Sequence, residues 1–373
     1  MFRLLGLLGG LSVAADLGTG APLEESLRRC LVAVRLARLA GLPEAEVSAA
    51  LYTSLLQHLG CTAYSHESAR RWGDDVSSTR LAFRTDFSRP TDIWRTWVPG
   101  LAELSGTSRG RALVTTLRHG RGADAEGPPA TCEVARDAAV LLGLPGTVQD
   151  ALFHGLAMWN GKGYPRVAGD RIPLASRIMH VASTAVMFTL DSGPAAARTQ
   201  VCAREGTQLD PGLVRLFLDH DDDLLQGVGE VDAHRAVLDV EPDPVRLVDD
   251  TCLVEVARTL GHLADLKSPW LQGHSAAVAA LAAGAAECLG LGEAVPTVLV
   301  AGHLHDLGRV GVSSRIWDKA GPLSTSETDQ VRLHAYHGER IIARVPELGE
   351  VASLVGRHHE RCDGSGYHRG LSA

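Results

Sequence analysis

Apolar side chains recur at helical spacing along most of the chain, and this pattern predicts an all-α protein. Residues 23–40 read LEESLRRCLVAVRLARLA, and residues 274–289 read HSAAVAALAAGAAECL. Both runs have a period close to that of an α-helix and stop at or just before a glycine, which is typical of a helix C-terminus. Ser324 and Glu327 have the spacing of a capping box, so a helix is expected to begin there. Alternating β-branched runs, which would predict strands, are nearly absent.

Two segments have the composition of connectors, and similar stretches of sequence occur before and after the second of them. Residues 105–130 are rich in Gly and Arg and close on a Pro pair, whereas residues 239–249 combine acids with prolines. The stretch WNGKGYPRVAGDRIPL at 159–174 is echoed by CDGSGYHRGLSA at 362–373. We therefore predict two tandem copies of one helical module. The predicted domains are residues 1–240, with an insertion at about 62–130, and residues 250–373.

Composition and charge narrow the function classes. The 373 residues are 45% hydrophobic and 21% charged, as in ordinary globular proteins. A formal net charge of −8 argues against direct binding to nucleic acid or to an anionic membrane, and no run is apolar enough to span a bilayer. The seven cysteines include no CxxC pair, so we expect a reducing compartment, the cytoplasm. Residues 1–18 resemble a weak signal peptide, but we favour a first amphipathic helix.

Ionisable residues interrupt the apolar helices of the second copy. A single histidine on an apolar face is more often a satisfied core residue than a metal ligand. Here, however, His305–Asp306 and His358–His359 are adjacent pairs near the ends of separate predicted helices. Burying so many ionisable groups together is costly unless divalent metal ions compensate them. The full set is His274, His305, Asp306, His334, His337, His358, His359 and Asp363.

The chemistry of this set indicates the metals that would bind and the reaction they would support. Imidazoles and carboxylate without thiolate suit first-row ions, and we expect two divalent ions, Fe or Mn before Co, Ni or Zn. A carboxylate among histidines can bridge two ions about 3.5–4 Å apart that share a hydroxide able to attack a phosphoester. Arg309, four residues after His305, is predicted to share its helix face and clamp a phosphate. The alternative for Arg309 is an exposed cation at a helix end. Asp306 and Arg309 are the predicted catalytic residues.

The C-terminal sequence HLHDLGRVGV…KAGPLS…VRLHAYHGERI…VGRHHERCDGSGYHRG resembles the HD-GYP subgroup of the HD-domain metal-dependent phosphohydrolases. The resemblance is close over residues 265–373 and weak over residues 23–190. It implies HD-domain-like helical bundles, places Arg309 where the family usually has Lys, and makes His337 a flanking residue. The metal ligands that it implies are His274, His305, Asp306, His334, His358 and His359.

The resemblance also implies an activity, the hydrolysis of cyclic di-GMP to pGpG or GMP at a di- or trinuclear metal site. Gly366 and Tyr367, in a loop where His368 replaces the family's Pro, would contact the substrate or a regulatory protein partner. The family's last helices, which carry a further Asp ligand, are expected to be missing from this chain. Two alternatives stay open: an HD phosphohydrolase of another nucleotide, and a sensor that binds metal or cyclic dinucleotide without turnover.

The first copy keeps the apolar frame but loses the predicted ligands. We therefore expect it to be a structural or regulatory domain without metal. Its counterparts of the ligand positions are Glu25 or Ser26 for the first His, Gln57 and His58 for the His–Asp pair, and Gly155 and Leu156 for the His–His pair.

Overall fold

The computed structural model describes residues 2–230 and 232–372, and most of these are helical. The strands in these ranges, β1 (Phe2–Arg3) and β2 (Leu247–Val248), form a single antiparallel pair. The prediction of an all-α fold is therefore confirmed. No helix in the described ranges has the length and apolarity that a membrane crossing would require.

The α-helices of the described residues are connected by turns, loops and 3-10 segments, and by a π-helical segment, Ile93–Trp97. In chain order they are α1 (Leu4–Leu11), α2 (Val13–Gly18), α3 (Glu25–Leu39), α4 (Glu44–Leu56), α5 (Ser65–Trp72), α6 (Asp75–Arg84), α7 (Pro90–Asp92), α8 (Val98–Leu104), α9 (Arg109–Leu141), α10 (Gly146–Phe153), α11 (Leu174–Ser192), α12 (Pro194–Ala203), α13 (Pro211–Asp219), α14 (Asp221–Leu225), α15 (Ala233–Asp239), α16 (Asp250–Asp265), α17 (His274–Cys288), α18 (Val295–Leu304), α19 (Ser314–Trp317), α20 (Thr325–Ile342) and α21 (Gly349–Arg357).

Helix boundaries followed from the sequence where periodicity and capping agreed. The two apolar runs form α3 and α17, and α20 begins at a complete capping box between Ser324 and Glu327. The connector predicted at 105–130 is wrong, because α9 runs through most of it with Pro128 and Pro129 inside the helix. Packing of α9 against α8 and α10 outweighs the local preference of its Gly and Pro residues.

The described residues form two compact units. The C-terminal unit contains the residues up to 20, residues 61–79 and the chain from 247 onward; the middle unit contains residues 21–60 and 80–246. The predicted domain boundary between residues 240 and 250 includes the point, between residues 246 and 247, where the chain passes from the middle unit to the C-terminal unit. By contrast, the sequence-based division had assigned the residues up to 20 and 61–79 to the first domain. The organisation in two tandem copies stays a prediction.

In the C-terminal unit, close backbone contact fixes the end of α18 against α20. A 3-10 turn, Leu307–Gly311, follows α18 and lies on α20. Gly308 in this turn has no room for a side chain, because an added Cβ would overlap the carbonyl oxygen of His334. The first two helices, α1 and α2, cover α20 and the same turn. The polar residues after α18 are therefore held close to the middle of α20.

The middle unit contains a similar contact. Helices α3, α4 and α11 pack together there, and α4 is followed by a 3-10 segment, Leu59–Tyr64. An added Cβ on Gly60 would overlap the carbonyl oxygen of Thr131 in α9. A glycine after one helix thus lies against the carbonyl of another helix in both units.

Candidate metal centre

All six predicted metal ligands lie together in the C-terminal unit, although they come from four separate helices. His274 is the first residue of α17, His334 lies within α20, and the two pairs directly follow α18 and α21. Placement at helix ends directs each pair away from its own helix and toward the others. The ligand atoms form two groups, in each of which all atoms lie within 4.8 Å of one another. The groups are His274, His305 and Asp306, and His334, His358 and His359.

Asp306 lies between four imidazoles, and its two carboxylate oxygens face different pairs. Oδ2 is 3.4 Å from Nε2 of His274 and 3.3 Å from Nε2 of His305. Oδ1 is 3.4 Å from Nε2 of His334 and 3.7 Å from Nε2 of His358. Within each pair the two Nε2 atoms are 3.2 Å apart. One oxygen for each pair is the disposition expected of a carboxylate shared between two cations.

Backbone hydrogen bonds set the orientation of three of the rings. His305, His334 and His358 each direct Nδ1 at the backbone carbonyl three residues earlier, at 2.8 Å for His305 and 2.6 Å for His358. Because a carbonyl oxygen only accepts, Nδ1 carries the proton and Nε2 is left with a free lone pair in the neutral ring. Such hydrogen bonds fix the tautomer of metal-binding histidines in proteins.

The histidines around Asp306 favour the anionic form of its carboxylate. Burial by itself raises the pKa of Asp306, but hydrogen bonds from the surrounding histidines outweigh it and hold this pKa well below its usual range. The pKa of His305 is raised, since its bond to Asp306 outweighs the effect of burial. Burial and the neighbouring rings of His358 and His334 lower the pKa of His359 to about 4. The His359 ring is therefore neutral at physiological pH and has a lone pair that a metal ion can bind.

The residues present fit divalent metal ions. Neutral imidazoles with free Nε2 lone pairs and one buried carboxylate are donors for first-row transition ions. Without cations, two Nε2 lone pairs 3.2 Å apart would face each other in each pair, which is unfavourable unless a proton or a metal ion lies between them. The arrangement therefore fits one ion for each group, with Asp306 reaching both.

Arg309 lies at the cluster in a 3-10 turn, not on a continuous helix. Its Nη1 donates to Asp306 Oδ2 at 3.3 Å, so its guanidinium lies beside the carboxylate, although the helical face assumed for it does not exist. The ring of Trp317 lies beneath the guanidinium, with 3.6 Å between Cζ and the ring centroid. Sequence reasoning missed Trp317, because nothing in the local sequence SSRIWDK shows that its ring contacts Arg309, eight residues earlier.

The glycine loop after α21 reaches the same cluster. Tyr367 stacks its ring on His359, with centroids 4.6 Å apart and planes inclined by 24°. Gly366 has no room for a side chain, since an added Cβ would lie 2.5 Å from the backbone nitrogen of Arg361. The predicted loop residues are thus adjacent to a predicted ligand, and their contact with substrate stays a prediction.

Two further polar residues of the sequence set lie outside both ligand groups. His337, one turn beyond His334 on α20, joins neither group, in keeping with its assignment as a flanking residue. Asp363 accepts hydrogen bonds from the backbone nitrogen and the hydroxyl of Ser365, at 2.9 and 2.6 Å. This carboxylate therefore shapes the glycine loop.

The middle unit has a different polar cluster at the positions that the sequence predicts as counterparts of the ligands. Glu25 begins α3 after a left-handed residue, Glu24, just as His274 begins α17 after the left-handed Gly273. This correspondence favours Glu25 over Ser26 as the counterpart of the first His. In the described ranges, neither group of potential metal ligands lies in this unit.

Guanidinium groups occupy this second cluster. Arg29 is fully buried, and it donates to Gln57 at 2.7 Å and approaches His58 Nδ1 at 3.4 Å. Arg80 connects Glu25, at 2.8 Å, to Asp191, at 2.9 Å. Sequence reasoning missed this network. A visible sign of it was the charge of Arg29 within the otherwise apolar face of α3.

Comparisons with known proteins agree with this geometry. Residues 258–373 match the family model described as HD domain. The 3'3'-cGAMP-specific phosphodiesterase 3 of Vibrio cholerae is 29% identical over this whole chain and 82% of its own length. The cyclic di-GMP phosphodiesterase of Thermotoga maritima is 37% identical over 32% of this chain and 33% of its own.

A solved structure extends the similarity to the fold. The crystal structure of a cyclic GMP-AMP-specific phosphodiesterase of V. cholerae, V-cGAP3, matches with a TM-score of 0.67 and 25% identity, over 95% of this chain and 85% of the other. The structural match therefore includes the middle unit, beyond the residues of the family model. Residues 258–373 thus match the HD-domain family, and the chain as a whole is similar in sequence and in fold to cyclic dinucleotide phosphodiesterases of V. cholerae.

Proposed function

We propose that this chain is a metal-dependent phosphodiesterase that hydrolyses a cyclic dinucleotide. The observation that carries the proposal is the position of Asp306, with one oxygen toward each of two imidazole groups. Relatives named as cyclic di-GMP and 3'3'-cGAMP phosphodiesterases support the substrate class. Cyclic di-GMP is the substrate expected from the sequence. The second candidate, 3'3'-cGAMP, is favoured by the relative that aligns with the whole chain.

The proposed ligands are His274, His305 and Asp306 for one ion and His334, His358 and His359 for the other, with Asp306 shared. Bound ions would activate water for attack on phosphorus and neutralise the phosphoryl oxygens. The protein contributes the orientation of the ligands. Backbone carbonyls hold the Nδ1 protons of His305, His334 and His358 in place, so that each of these rings presents Nε2 without reorganisation.

Arg309 is the proposed phosphate contact. Its Nη1 is engaged by Asp306, whereas its buried Nε has no hydrogen-bond acceptor among the described residues. A planar guanidinium presents donors in a fork that matches a phosphate. We infer that Arg309 orients a phosphodiester beside Asp306, and that Gly366 and Tyr367 line the same approach.

We further propose that the chain holds two copies of one module, of which only the second binds metal. The two glycine loops support this. Tyr164 donates its backbone N–H to the Leu156 carbonyl at 3.0 Å, as Tyr367 does to that of His359 at 3.3 Å. In the proposed first copy, guanidinium groups supply the positive charge that metal ions would supply in the second.

Hydrolysis by the metal-loaded protein tests the proposal. Protein expressed with Mn or Fe is incubated with cyclic di-GMP or 3'3'-cGAMP, and linear products are separated by chromatography, with a chelator-treated sample as control. Chelator-sensitive turnover of either compound is the expected result. Tight binding without turnover, measured by calorimetry, would instead favour the sensor. Neither binding nor turnover of either compound would overturn the substrate class.

A further inference from the structure

Trp317 lies where it contacts both the backbone and the side chain of Arg309. Its indole Nε1 donates to the Arg309 carbonyl at 3.2 Å, and its ring face lies against the guanidinium, 3.6 Å from Cζ to the centroid. A cation over an aromatic face within about 6 Å of the centroid is attracted to it. The ring is only partly buried, so filling the core does not account for its position.

The same ring also borders the metal cluster. The rings of Trp317 and His334 form an edge-to-face pair, with centroids 5.6 Å apart and planes inclined by 78°. The guanidinium thus lies between the Trp317 face and the Asp306 carboxylate. An arginine held from both sides keeps one orientation, which a long flexible side chain would otherwise lose.

Residues 61–79, a segment from the first half of the chain, hold the short helix that carries Trp317. Asp75 accepts from the Ser313 hydroxyl at 3.0 Å and from the Ser314 backbone nitrogen at 2.8 Å, at the start of α19. Asp75 also forms a fully buried ion pair with Lys267. Both ionic groups of this pair are thus satisfied inside the unit.

A second contact from the same segment fixes the other end of α19. The Asp318 carboxylate, next to Trp317, lies 2.6 Å from His66 Nδ1 and accepts from the Ser268 hydroxyl at 2.6 Å. Contacts of residues 61–79 therefore bracket the four-residue helix α19 on both sides.

From these contacts we propose that Trp317 is a positioning residue, which fixes the Arg309 guanidinium over the Asp306 carboxylate, and that His66 and Asp75 fix Trp317. The inference rests on the proposed function for the consequence of the contact, but not for the contact itself. Trp317 acts through Arg309 and needs no contact with substrate.

A double-mutant cycle tests the coupling. Trp317→Leu is expected to lower kcat/KM by about 3- to 30-fold, the range set by the strength of a cation–π contact. Trp317→Phe, which keeps an aromatic face, should lose less. In an Arg309→Ala background, Trp317→Leu should change kcat/KM by less than about twofold, because the guanidinium that Trp317 positions is already gone. The same loss in both backgrounds would overturn the proposal.

Controls separate positioning from folding. Trp270, which is 82% exposed in the same unit, provides a matched tryptophan, and Trp270→Leu should leave kcat/KM unchanged. Metal content should be unaltered in Trp317→Phe, and the thermal midpoint should fall only by the small loss of the Nε1 hydrogen bond to the Arg309 carbonyl. His66→Ala, which removes one contact of α19, should lower kcat/KM less than Trp317→Leu and have no effect in the Arg309→Ala background. An additive effect of His66→Ala would refute its part in the proposal.

A spectroscopic measurement keeps the contact testable if no hydrolysis is found. Near-ultraviolet circular dichroism of wild type minus Trp317→Phe isolates the Trp317 band. Arg309→Ala should reduce this difference, because it removes the charge beneath the ring. A band unchanged by Arg309→Ala would overturn the contact. A changed band without turnover would leave the contact standing and count against the proposed function alone.

Discussion

The polar clusters of the two units differ in charge although their backbone contacts are alike. In the C-terminal unit, histidines surround one aspartate, and their Nε2 atoms lie in pairs 3.2 Å apart. In the middle unit, the buried Arg29 and the partly buried Arg80 pair with Glu25, and Arg80 also pairs with Asp191. The histidine cluster needs bound cations from outside the protein, whereas the cluster of the middle unit contains its own cations, the arginine side chains.

The backbone contacts common to both units show what the helical frame requires. Gly308 and Gly60 each lie against a carbonyl oxygen with no room for a Cβ. Gly366 and Gly163 are equally confined in their loops. Helix packing in both units therefore depends on glycines where two backbone segments touch, whereas the charged residues between the helices differ. The helix packing alone does not establish activity.

The largest expected effect comes from Asp306. Asp306→Asn keeps the shape but removes the negative charge that both imidazole groups face, so we expect hydrolysis to fall by well over a hundredfold, beyond the loss of about 10- to 100-fold typical of an outer-shell change. Steady-state hydrolysis of the better cyclic dinucleotide measures the effect. A hydrolysis rate of Asp306→Asn within tenfold of the wild-type rate would contradict the role of Asp306 as the shared ligand, and with it the contrast between the two units.

A stability effect is expected next, from Glu25 in the middle unit. Glu25→Ala removes the carboxylate beside the fully buried Arg29 and the partly buried Arg80, so the free energy of unfolding should fall by about 3–5 kcal/mol. Urea unfolding followed by circular dichroism measures the change, while metal content should stay at the wild-type value. Metal loss on Glu25→Ala, with the C-terminal unit still folded, would contradict the division of roles.

The two glycine loops should respond differently to the same substitution. Gly366→Ala and Gly163→Ala each overpack a loop, at a cost of about 1–3 kcal/mol. Only the first loop carries a tyrosine stacked on a predicted ligand, so Gly366→Ala should also lower kcat/KM, whereas Gly163→Ala should leave it unchanged. Equal loss of kcat/KM in both variants would show that the loops do not differ in role.

The smallest expected effect is a pH dependence of stability. Burial, aided by the positive charges of Arg29 and Arg80, holds the pKa of His58 well below its usual range. Below about pH 6.5 the unfolded chain therefore binds a proton that the folded chain does not, and the unfolding free energy falls as pH decreases. His58→Gln should reduce this slope, by at most about 1.4 kcal/mol per pH unit. Urea unfolding between pH 7.5 and 5.5 measures it, with the exposed His220→Gln as the unchanged control.

Periodicity and capping were sufficient to predict the helical fold, and the family resemblance indicated which histidines converge. The capping box at Ser324 and the run from His274 appear in the structure where the sequence places them. Helix α9 could not be predicted, because its Gly and Pro residues oppose the helix locally and only packing against its neighbours sustains it.

Contacts between residues distant in the chain were the main limit on predicting the site. Residues 61–79 belong to the C-terminal unit, where Asp75 and His66 contact the residues at the two ends of α19. In each of these contacts the two residues are at least 238 positions apart in the sequence. No local pattern marks such a partner. The same limit hid the cation–π contact of Trp317 and the arginine network of the middle unit.

Metal stoichiometry tests the central claim most directly. The account predicts about two divalent ions per wild-type chain by plasma mass spectrometry after loading and desalting, one for each ligand group. Asp306→Ala should lose most of this metal, and Glu25→Ala should retain it. Full metal content in Asp306→Ala would contradict the assignment of the centre to the C-terminal unit.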